Sequence, residues 1–398
     1  MRILFVCEQC NPDQPSVPLL GYHFYRTLKQ LADVTLVTHG RNEGPLKRAF
    51  PQDKIHFVYE SFLSTYWAKM FQSRFWPLQH LLYFPIYEEF NQKVGLDYWD
   101  KVDDYDIVFA FSPIIPRYPY KIAKYCLKTP FLLGPVNGGL PFPKEYESIK
   151  EAEGGKLNFL KKFNYLLPGY TTTYRAAKEI LVGSQHTLEE LKNLFPEATL
   201  TYFSENGVAD EYFSNTPKTG KTILFTGRLT PYKGADILIE AFKELKEGRL
   251  IIVGDGPQKP ELEKLIQNYG LQDRVELRGY VPPEKMFAVY QEANIFAFPS
   301  LREFGGAVVL EAMASGLPCV ITDYGGMAEY LPEGAGYKIK MQPREAFVKE
   351  LTTKLSILIE DPILQEQMGK KGREAAESFR WENKAKALLN IMEELNKK

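Results

Sequence analysis

The chain has 398 residues, with 49 Lys or Arg against 50 Asp or Glu, so its formal net charge is −1. A charged fraction of 25% and a hydrophobic fraction of 44% are typical of a folded globular protein and exclude disorder as its main state. The near-neutral charge provides no general field that would attract nucleic acid, so no nucleic-acid partner is expected. No apolar run approaches the ~18 residues that a membrane span needs.

The few cysteines argue for a reducing compartment. There are four, too few for a disulfide scaffold, and the first residues resemble a strand more than the apolar core of a signal peptide. We therefore expect a cytoplasmic protein. Cys7 and Cys10 form a C-x-x-C pair, but no second Cys or His pair stands at ligand spacing, so no metal site is predicted.

Short apolar runs alternate with longer helical patterns along the chain. Runs that are apolar throughout indicate parallel strands covered by helices on both faces. Because the strand–helix alternation occurs twice, we predict an α/β protein of two doubly wound domains. The first series of predicted strands covers residues 2–7, 34–38, 55–59, 106–111, 131–133, 180–183 and 200–203. The second covers 222–225, 249–253, 274–277, 295–298, 319–321 and 337–339.

The domain boundary is predicted from a polar segment. Residues 212–221 contain Pro217 and Gly220 and precede the strand that begins at Thr222, so they are assigned as a linker. The N-terminal domain would then cover 1–211 and the C-terminal domain 222–380. Residues 381–398 predict an amphipathic helix, with one apolar face. That face consists of Leu388, Leu389, Met392 and Leu395.

Two segments of the first half have unusual composition. Residues 62–99 are rich in aromatic side chains in helical patterns, which suits packing of an inserted helical region, an acceptor groove or a membrane-facing surface. Residues 156–163 are basic and amphipathic, which suits a solvated helix or an anionic lipid surface. Peripheral attachment at the inner face of a membrane, or a lipid-linked acceptor, therefore stays open.

A strand–loop–helix pattern over 295–316 carries the strongest chemical signal. Gly305 and Gly306 end the loop, and the helix that follows is predicted to close at Gly316. Glycines let backbone amides approach a ligand closely, and a helix N-terminus attracts phosphate. We therefore predict an anion site at the start of this helix.

Two glutamates accompany that helix. Glu303 lies at the mouth of the anion site, and Glu311 follows eight residues later. Eight residues span ~12 Å along a helix. Because the paired carboxylates of a glycoside hydrolase lie ~5–9.5 Å apart, this spacing argues against a hydrolase pair.

Two cations follow the first strand of the second half. Arg228 and Lys233 come after the strand predicted over 222–225, at the edge where open α/β sheets bind ligands. An Arg fork and a Lys point charge together suit a diphosphate.

These motifs stand in a recognisable order. With them the chain resembles the family-4 retaining glycosyltransferases of GT-B fold, and Glu303 and Glu311 match the Glu-x7-Glu motif. The likeness covers residues 180–340 by motif and the first half by architecture only. The matching blocks are Gly227-Arg228-Leu229 with Lys233-Gly234, Val253-Gly254-Asp255-Gly256-Pro257, Glu303 to Glu311, and Asp323-Tyr324-Gly325-Gly326.

The resemblance implies two Rossmann-like domains facing a cleft, with the final helix crossing back to the first domain. It implies transfer of a sugar from a nucleoside-diphosphate sugar to an acceptor, with retention and without a cofactor. The acceptor could be a glycan, a lipid-linked molecule or a small molecule, as in polysaccharide or glycoconjugate biosynthesis. Because the cations can hold the diphosphate, the transfer is expected to be independent of metal.

The resemblance also implies residue roles. Arg228 and Lys233 would hold the diphosphate, Glu303 would contact the sugar, and these three form the expected catalytic group. Glu311 would take the ribose hydroxyls. Further nucleotide-sugar contacts are implied for the amides from Phe304 to Ala307 at the distal phosphate and for peptide groups near the base. These further residues are Gly227, Tyr280, Val281, Phe304, Gly305, Gly306 and Ala307.

The chain departs from the family pattern in two places. The usual Glu-Gly-Phe-Gly order is here Glu303-Phe304-Gly305-Gly306. The first-domain His of many members is missing, and Asn137, Gly138 and Gly139 stand at the comparable place, on the acceptor or donor-sugar side. Because a fold does not determine a function, an epimerase, a phosphorylase or an inactive nucleotide-sugar-binding protein remain alternatives.

Overall fold

The structure is a computed structural model that describes residues 1–62, 64, 66, 79–111, 118–147, 149, 166–213 and 219–397. The chain forms two compact units. The first holds the described residues of Met1–Gly139, Gly154–Glu205 and Trp381–Lys398, and the second holds those of Leu140–Glu153 and Asn206–Arg380. The basic stretch 156–163 and residues 214–218 of the expected linker lie outside the described residues.

The first unit contains a seven-stranded sheet in the order β3-β2-β1-β4-β5-β6-β7. Every neighbouring pair is parallel, as the apolar runs predicted. The order reverses next to β1, so the carboxyl ends of β1 and β4 form a switch point. The strands are β1 (Arg2–Val6), β2 (Asp33–His39), β3 (Ile55–Val58), β4 (Ile107–Ala110), β5 (Phe131–Val136), β6 (Glu179–Val182) and β7 (Leu200–Tyr202).

The second unit contains a six-stranded parallel sheet in the order β10-β9-β8-β11-β12-β13. Its reversal lies between β8 and β11, which pair directly. The prediction of two doubly wound α/β domains is confirmed. The strands are β8 (Thr222–Thr226), β9 (Arg249–Val253), β10 (Val275–Gly279), β11 (Ile295–Phe298), β12 (Cys319–Thr322) and β13 (Gly336–Ile339).

Helices connect the strands in both units. Two of them begin with a capping side chain: the Ser184 side chain accepts a hydrogen bond from the Thr187 amide, and the Asp361 side chain accepts one from the Leu364 amide. In the described residues of the first unit the α-helices are α1 (Val17–Leu28), α2 (Glu43–Ala49), α3 (Gln79–Tyr98), α4 (Tyr170–Ala176), α5 (Gln185–Leu194) and the C-terminal α13 (Trp381–Lys397). In those of the second they are α6 (Ala235–Lys243), α7 (Lys259–Asn268), α8 (Pro283–Glu292), α9 (Ala307–Ala314), α10 (Gly326–Tyr330), α11 (Arg344–Glu360) and α12 (Pro362–Ala376).

The first sheet is buried on both faces. Leu4 and Val6 of β1 belong to one apolar cluster, whereas Ile3 and Phe5 belong to another, because successive side chains of a strand point to opposite faces. The second cluster also includes the apolar face of α13. Its buried members are Trp381, Leu388, Met392 and Leu395, with Leu389 partly buried.

The chain passes from one unit to the other at positions that the sequence patterns did not predict. The units divide between Glu205 and Asn206, so the second unit begins before the expected linker. Val208 pairs with Arg380, and its amide donates to the Phe379 carbonyl at 2.9 Å, which ties this stretch to the second unit. Residues 140–153 also belong to the second unit, although first-unit residues flank them in sequence.

The aromatic segment 62–99 is divided between core and surface. Tyr87, Phe90 and Tyr98 are buried in the first unit, which supports packing as their role. Three others, Phe62, Tyr66 and Trp99, are exposed, and Trp67, Phe71, Phe75 and Trp76 lie outside the described residues. Among the helices that the structure describes, none is long and apolar enough to cross a membrane.

Candidate functional site

The site lies at the carboxyl edge of the second sheet. Because β8 and β11 are neighbouring parallel strands, the loops that follow them meet at one edge. Lys233 follows β8, Glu303 follows β11, and the Lys233 Nζ forms an ion pair with the Glu303 Oε2. Only 14% of the lysine side chain and 15% of the glutamate side chain are exposed. Two of the predicted catalytic residues, 70 positions apart, are thus in direct contact.

Two aromatic rings and a close backbone approach at the next residue hold Lys233 in place. Its Nζ lies 5.2 Å from the centre of the Phe298 ring and 5.3 Å from that of Tyr232, within range of cation–π attraction. Gly234 has φ +76° and comes so near Pro299 that a Cβ would lie 2.3 Å from its carbonyl oxygen. Only glycine fits such a position without strain. The loops after β8 and β11 therefore pack closely against each other.

A double glycine supports the loop that carries Glu303. A Cβ on Gly325 would lie 2.0 Å from the Glu303 carbonyl oxygen, and one on Gly326 would lie 2.0 Å from the Phe304 carbonyl oxygen. The Gly326 amide also donates to the Glu303 carbonyl at 3.2 Å. The sequence marked these glycines only as part of a matching block. Their role is to let two backbone segments approach.

The loop ends at Gly306, where α9 begins. Gly306 adopts φ +75°, and a Cβ there would lie 2.8 Å from that of Met327. In the described part of the chain, no side chain caps the first turn of α9, which also lacks an acidic residue. Its amides keep the partial positive charge of a helix N-terminus. The phosphate contacts expected of the segment from Phe304 to Ala307 remain a prediction that this geometry permits.

The glycines of the Val253-to-Pro257 block support the backbone around Arg228. A Cβ on Gly254 would lie 1.9 Å from the Gly227 carbonyl oxygen, and one on Gly256 would lie 2.3 Å from that of Leu229. The Leu229 amide donates to the Asp255 carbonyl at 2.9 Å. The Arg228 side chain is exposed and, among the described residues, has no ion-pair partner.

Glu311 lies in a different environment from Glu303. It is half-buried in α9, and its Oε2 accepts a hydrogen bond of 2.8 Å from the Tyr290 hydroxyl. That hydroxyl lies 3.1 Å from the Thr226 Oγ1. Burial raises the pKa of the Glu311 carboxyl above its ordinary value, and the nearby Glu211 adds to the increase, while the Tyr290 hydrogen bond opposes it. The sequence contained no signal for Tyr290 or Thr226.

The residues expected near the base follow β10. Gly279 ends that strand with φ +75°, and Tyr280 is 68% exposed while Val281 is half-buried. Because β10 belongs to the same parallel sheet as β8 and β11, both residues lie at the same carboxyl edge as Arg228. Their contact with a base remains a prediction.

The expected first-domain residues follow β5. Asn137 is 1% exposed, and its Nδ2 donates to the Glu205 Oε1 at 2.9 Å. Its Oδ1 accepts the Gly138 amide at 2.7 Å and the Ser184 hydroxyl at 2.8 Å. These bonds give the Asn137 side chain the role of fixing the loop. Gly138 is buried and Gly139 is exposed, so the Gly139 backbone is the part that a ligand can meet.

Within the described ranges, no group of three or more His, Cys, Asp or Glu is arranged to hold a metal ion. Cys7 and Cys10 are buried free thiols.

Known proteins resemble the part of the chain that contains these residues. Residues 210–375 match the family model of glycosyl transferases group 1. Sulfoquinovosyl transferase SQD2 of Arabidopsis thaliana is 33% identical over 168 residues, which are 42% of this chain and 32% of that protein. The D-inositol 3-phosphate glycosyltransferase of Corynebacterium urealyticum is 33% identical over 191 residues, covering 45% of this chain and 44% of that protein. The matched region thus spans less than half the length of these relatives.

Solved structures resemble the whole chain. The Anabaena protein Alr3699/HepE, solved in complex with UDP, has a TM-score of 0.65 at 17% identity and covers 99% of this chain and 100% of its own. Sucrose-phosphate synthase from Thermosynechococcus elongatus also has a TM-score of 0.65 at 17% identity, covering 99% and 98%. At 17% identity, the structural likeness establishes the fold alone. The expected class of two Rossmann-like α/β domains of GT-B type is confirmed.

Proposed function

We propose that this protein is a retaining, metal-independent glycosyltransferase that moves a sugar from a nucleoside-diphosphate sugar to an acceptor. The observation that carries the proposal is the contact between Lys233 and Glu303 at the carboxyl edge of the second sheet, inside the region that matches glycosyl transferases group 1. The UDP held by a protein of the same fold supports this class of donor.

The chemistry concerns a diphosphate leaving group. As the bond between the sugar C1 and the phosphate oxygen breaks, negative charge grows on the diphosphate. Arg228, Lys233 and the N-terminus of α9 stabilise that charge, which is electrostatic catalysis. The acceptor oxygen forms its bond to C1 on the same face, and its proton passes to the leaving phosphate oxygen.

The remaining residues hold the donor. Glu303 accepts hydrogen bonds from sugar hydroxyls while it shares Lys233 with the phosphate, and Glu311 holds the ribose hydroxyls. The Gly227 backbone and the segment from Phe304 to Ala307 lie beside the phosphates, and Tyr280 and Val281 lie at the base. The exposed Gly139 backbone, in the loop fixed by Asn137, serves on the acceptor or donor-sugar side.

Location and acceptor belong to the same proposal. We place the enzyme in the cytoplasm, because all four cysteines are free thiols, as expected in a reducing compartment. Its role there would be in polysaccharide or glycoconjugate biosynthesis. A lipid-linked acceptor or peripheral attachment at the inner membrane face is tested by flotation with anionic liposomes at low salt. Co-flotation supports attachment, and its absence contradicts it.

A ligand screen followed by product analysis tests the activity. A nucleoside diphosphate at ~100 times its Kd should add about 2.7 kcal/mol of stability. NMR of the product formed with acceptor should show the donor's anomeric configuration. An altered donor sugar formed without acceptor would indicate an epimerase, and a strict need for inorganic phosphate would indicate a phosphorylase. Binding without turnover would indicate a binding protein.

Metal independence has its own test. Because two side-chain cations and a helix N-terminus face the phosphates, activity should persist in excess chelator. Loss of activity that Mg²⁺ or Mn²⁺ restores would contradict this part of the proposal.

A further inference from the structure

A short segment that follows Gly139, where the first stretch of the first unit ends, packs on the loop of Glu303. We call residues Leu140–Tyr146 the strap; they belong to the second unit. The Arg302 Nε donates to the Leu140 carbonyl at 2.8 Å, and the Tyr324 hydroxyl donates to the Pro141 carbonyl at 2.9 Å. Both hydrogen-bond donors are next in sequence to residues of the candidate site: Arg302 precedes Glu303, and Tyr324 precedes Gly325.

Arg302 also joins the strap to the donor loop through two rings. Its guanidinium carbon lies 4.8 Å from the centre of the Phe142 ring, in the strap, and 4.9 Å from that of Phe304, in the loop. A planar guanidinium can stack on aromatic faces while its Nε donates a hydrogen bond. The Arg302 side chain therefore joins Phe304, the residue after Glu303, to the strap.

The same loop is held from a second direction. Leu140 is buried, and its Cδ2 lies 2.9 Å from where a Cβ of Gly325 would be. That position is in turn 2.0 Å from the Glu303 carbonyl oxygen. The backbone of Glu303 is thus confined by Gly325, and both Gly325 and Arg302 rest on the strap.

We propose that Arg302, held by the strap, is a positioning residue that sets the geometry of the Glu303 carboxylate toward the donor sugar. This inference rests on the proposed function, in which Glu303 contacts the sugar. Arg302 itself acts through Glu303 and Phe304. A displacement of about 1 Å at a reacting centre can lower a rate by ~10²-fold, so this positioning matters for turnover. A lysine cannot replace it, because an ammonium group lacks the planar fork.

The test compares Arg302→Lys with a matched control, Arg274→Lys. Arg274 also stacks on a ring, 4.7 Å from the centre of Phe242, and also donates to backbone carbonyls, those of Gly248 and Leu245. It precedes β10 and so lies at the opposite edge of the sheet from the site. We expect Arg302→Lys to lower kcat by about 10- to 100-fold with little change in nucleoside diphosphate Kd. Arg274→Lys should change both by no more than about twofold.

A second variant separates positioning from a general structural role. If Arg302 acts through Glu303, then adding Arg302→Lys to Glu303→Gln should lower kcat by no more than about a further twofold. Multiplicative losses, together with a lowered Tm in Arg302→Lys, would overturn the inference. Tyr324→Phe, which removes the bond to Pro141, should show a smaller loss of the same kind.

A measurement without turnover keeps this inference distinct from the proposed function. Hydrogen exchange at the Gly326 amide, which donates to the Glu303 carbonyl, should be faster in Arg302→Lys and unchanged in Arg274→Lys. Unchanged exchange in Arg302→Lys would overturn the inference. Faster exchange in a protein whose wild type transfers no sugar would support the strap's hold on the loop and overturn the proposed function instead.

Discussion

The two carboxylates of the site differ in their partners. Glu303 is paired with a cation, Lys233, whereas Glu311 is bound by a neutral hydroxyl, that of Tyr290. The cation beside Glu303 offsets the cost of removing its charge from water. The single neutral donor beside Glu311 offsets less of that cost. The two residues should therefore respond differently to substitution.

Kinetics and calorimetry on each variant test their roles. Glu303→Gln keeps the size of the side chain and removes its charge, so kcat should fall by roughly 10²-fold or more while nucleoside diphosphate affinity changes little. Glu311→Ala should weaken nucleoside diphosphate and donor alike by ~1.5–3 kcal/mol, as for a lost hydrogen bond to a charged group. The reverse pattern would exchange the two assignments.

Glu311 should also impose a pH dependence on stability. Its pKa is raised in the folded state, so the unfolded chain loses this proton first as pH rises above the ordinary value of 4.5. The free energy of unfolding of the wild type therefore falls as the pH rises from 4.5 to the raised pKa of the folded state. Glu311→Gln keeps an acceptor for Tyr290 without the titration, so it should be more stable than the wild type at pH 8, with the difference vanishing near pH 4. Denaturant unfolding at several pH values measures this, and a constant difference would contradict it.

At the scale of elements, glycines determine how closely the loops approach. Gly325 and Gly316 both have positive φ, +78° and +75°, but only Gly325 is crowded. Within the described part of the chain, a Cβ on Gly316 would meet no atom within 4 Å outside Gly316 and its two chain neighbours. Gly316→Ala should cost ~1–2 kcal/mol from backbone strain alone and leave turnover unchanged. Gly325→Ala should cost more and reduce activity strongly, because its Cβ would displace the Glu303 backbone. Chemical denaturation and steady-state kinetics compare the pair, and equal effects would show that crowding is unimportant.

At the scale of the molecule, α13 stabilises the first unit although it follows the second in sequence. Leu388 is fully buried in the first-unit core, whereas the neighbouring Leu389 is only partly buried. Leu388→Ala should cost ~2–5 kcal/mol and Leu389→Ala less. Hydrogen exchange should show the loss of protection in β1 and α1 and not in β8 or β11. Loss spread over both units, or confined to the second, would contradict the assignment of α13.

The strands of both sheets could be predicted from local patterns in the sequence, and so could the residues that we propose for the site. All thirteen predicted strands are present. Central strands such as β4 and β11 are buried throughout and need a continuous apolar run, which is a local property of the sequence. The two cations and the two glutamates were proposed from strand ends and turn glycines, which mark the ligand-binding edge of an α/β sheet, together with the family resemblance, and their roles stay predictions.

The contacts between these residues depend on the folding of the whole chain and could not be predicted from local patterns. The pairing of Lys233 with Glu303 depends on β8 and β11 becoming neighbours, and the bond from Tyr290 to Glu311 depends on how α8 packs beside α9. The strap reaches Arg302 across 162 positions of sequence. Apolar periodicity acts over one strand or a few helical turns and contains no information about strand order or about where a connecting segment packs. Those contacts are set by burial across the whole chain, which is why the residues were predictable and their partners were not.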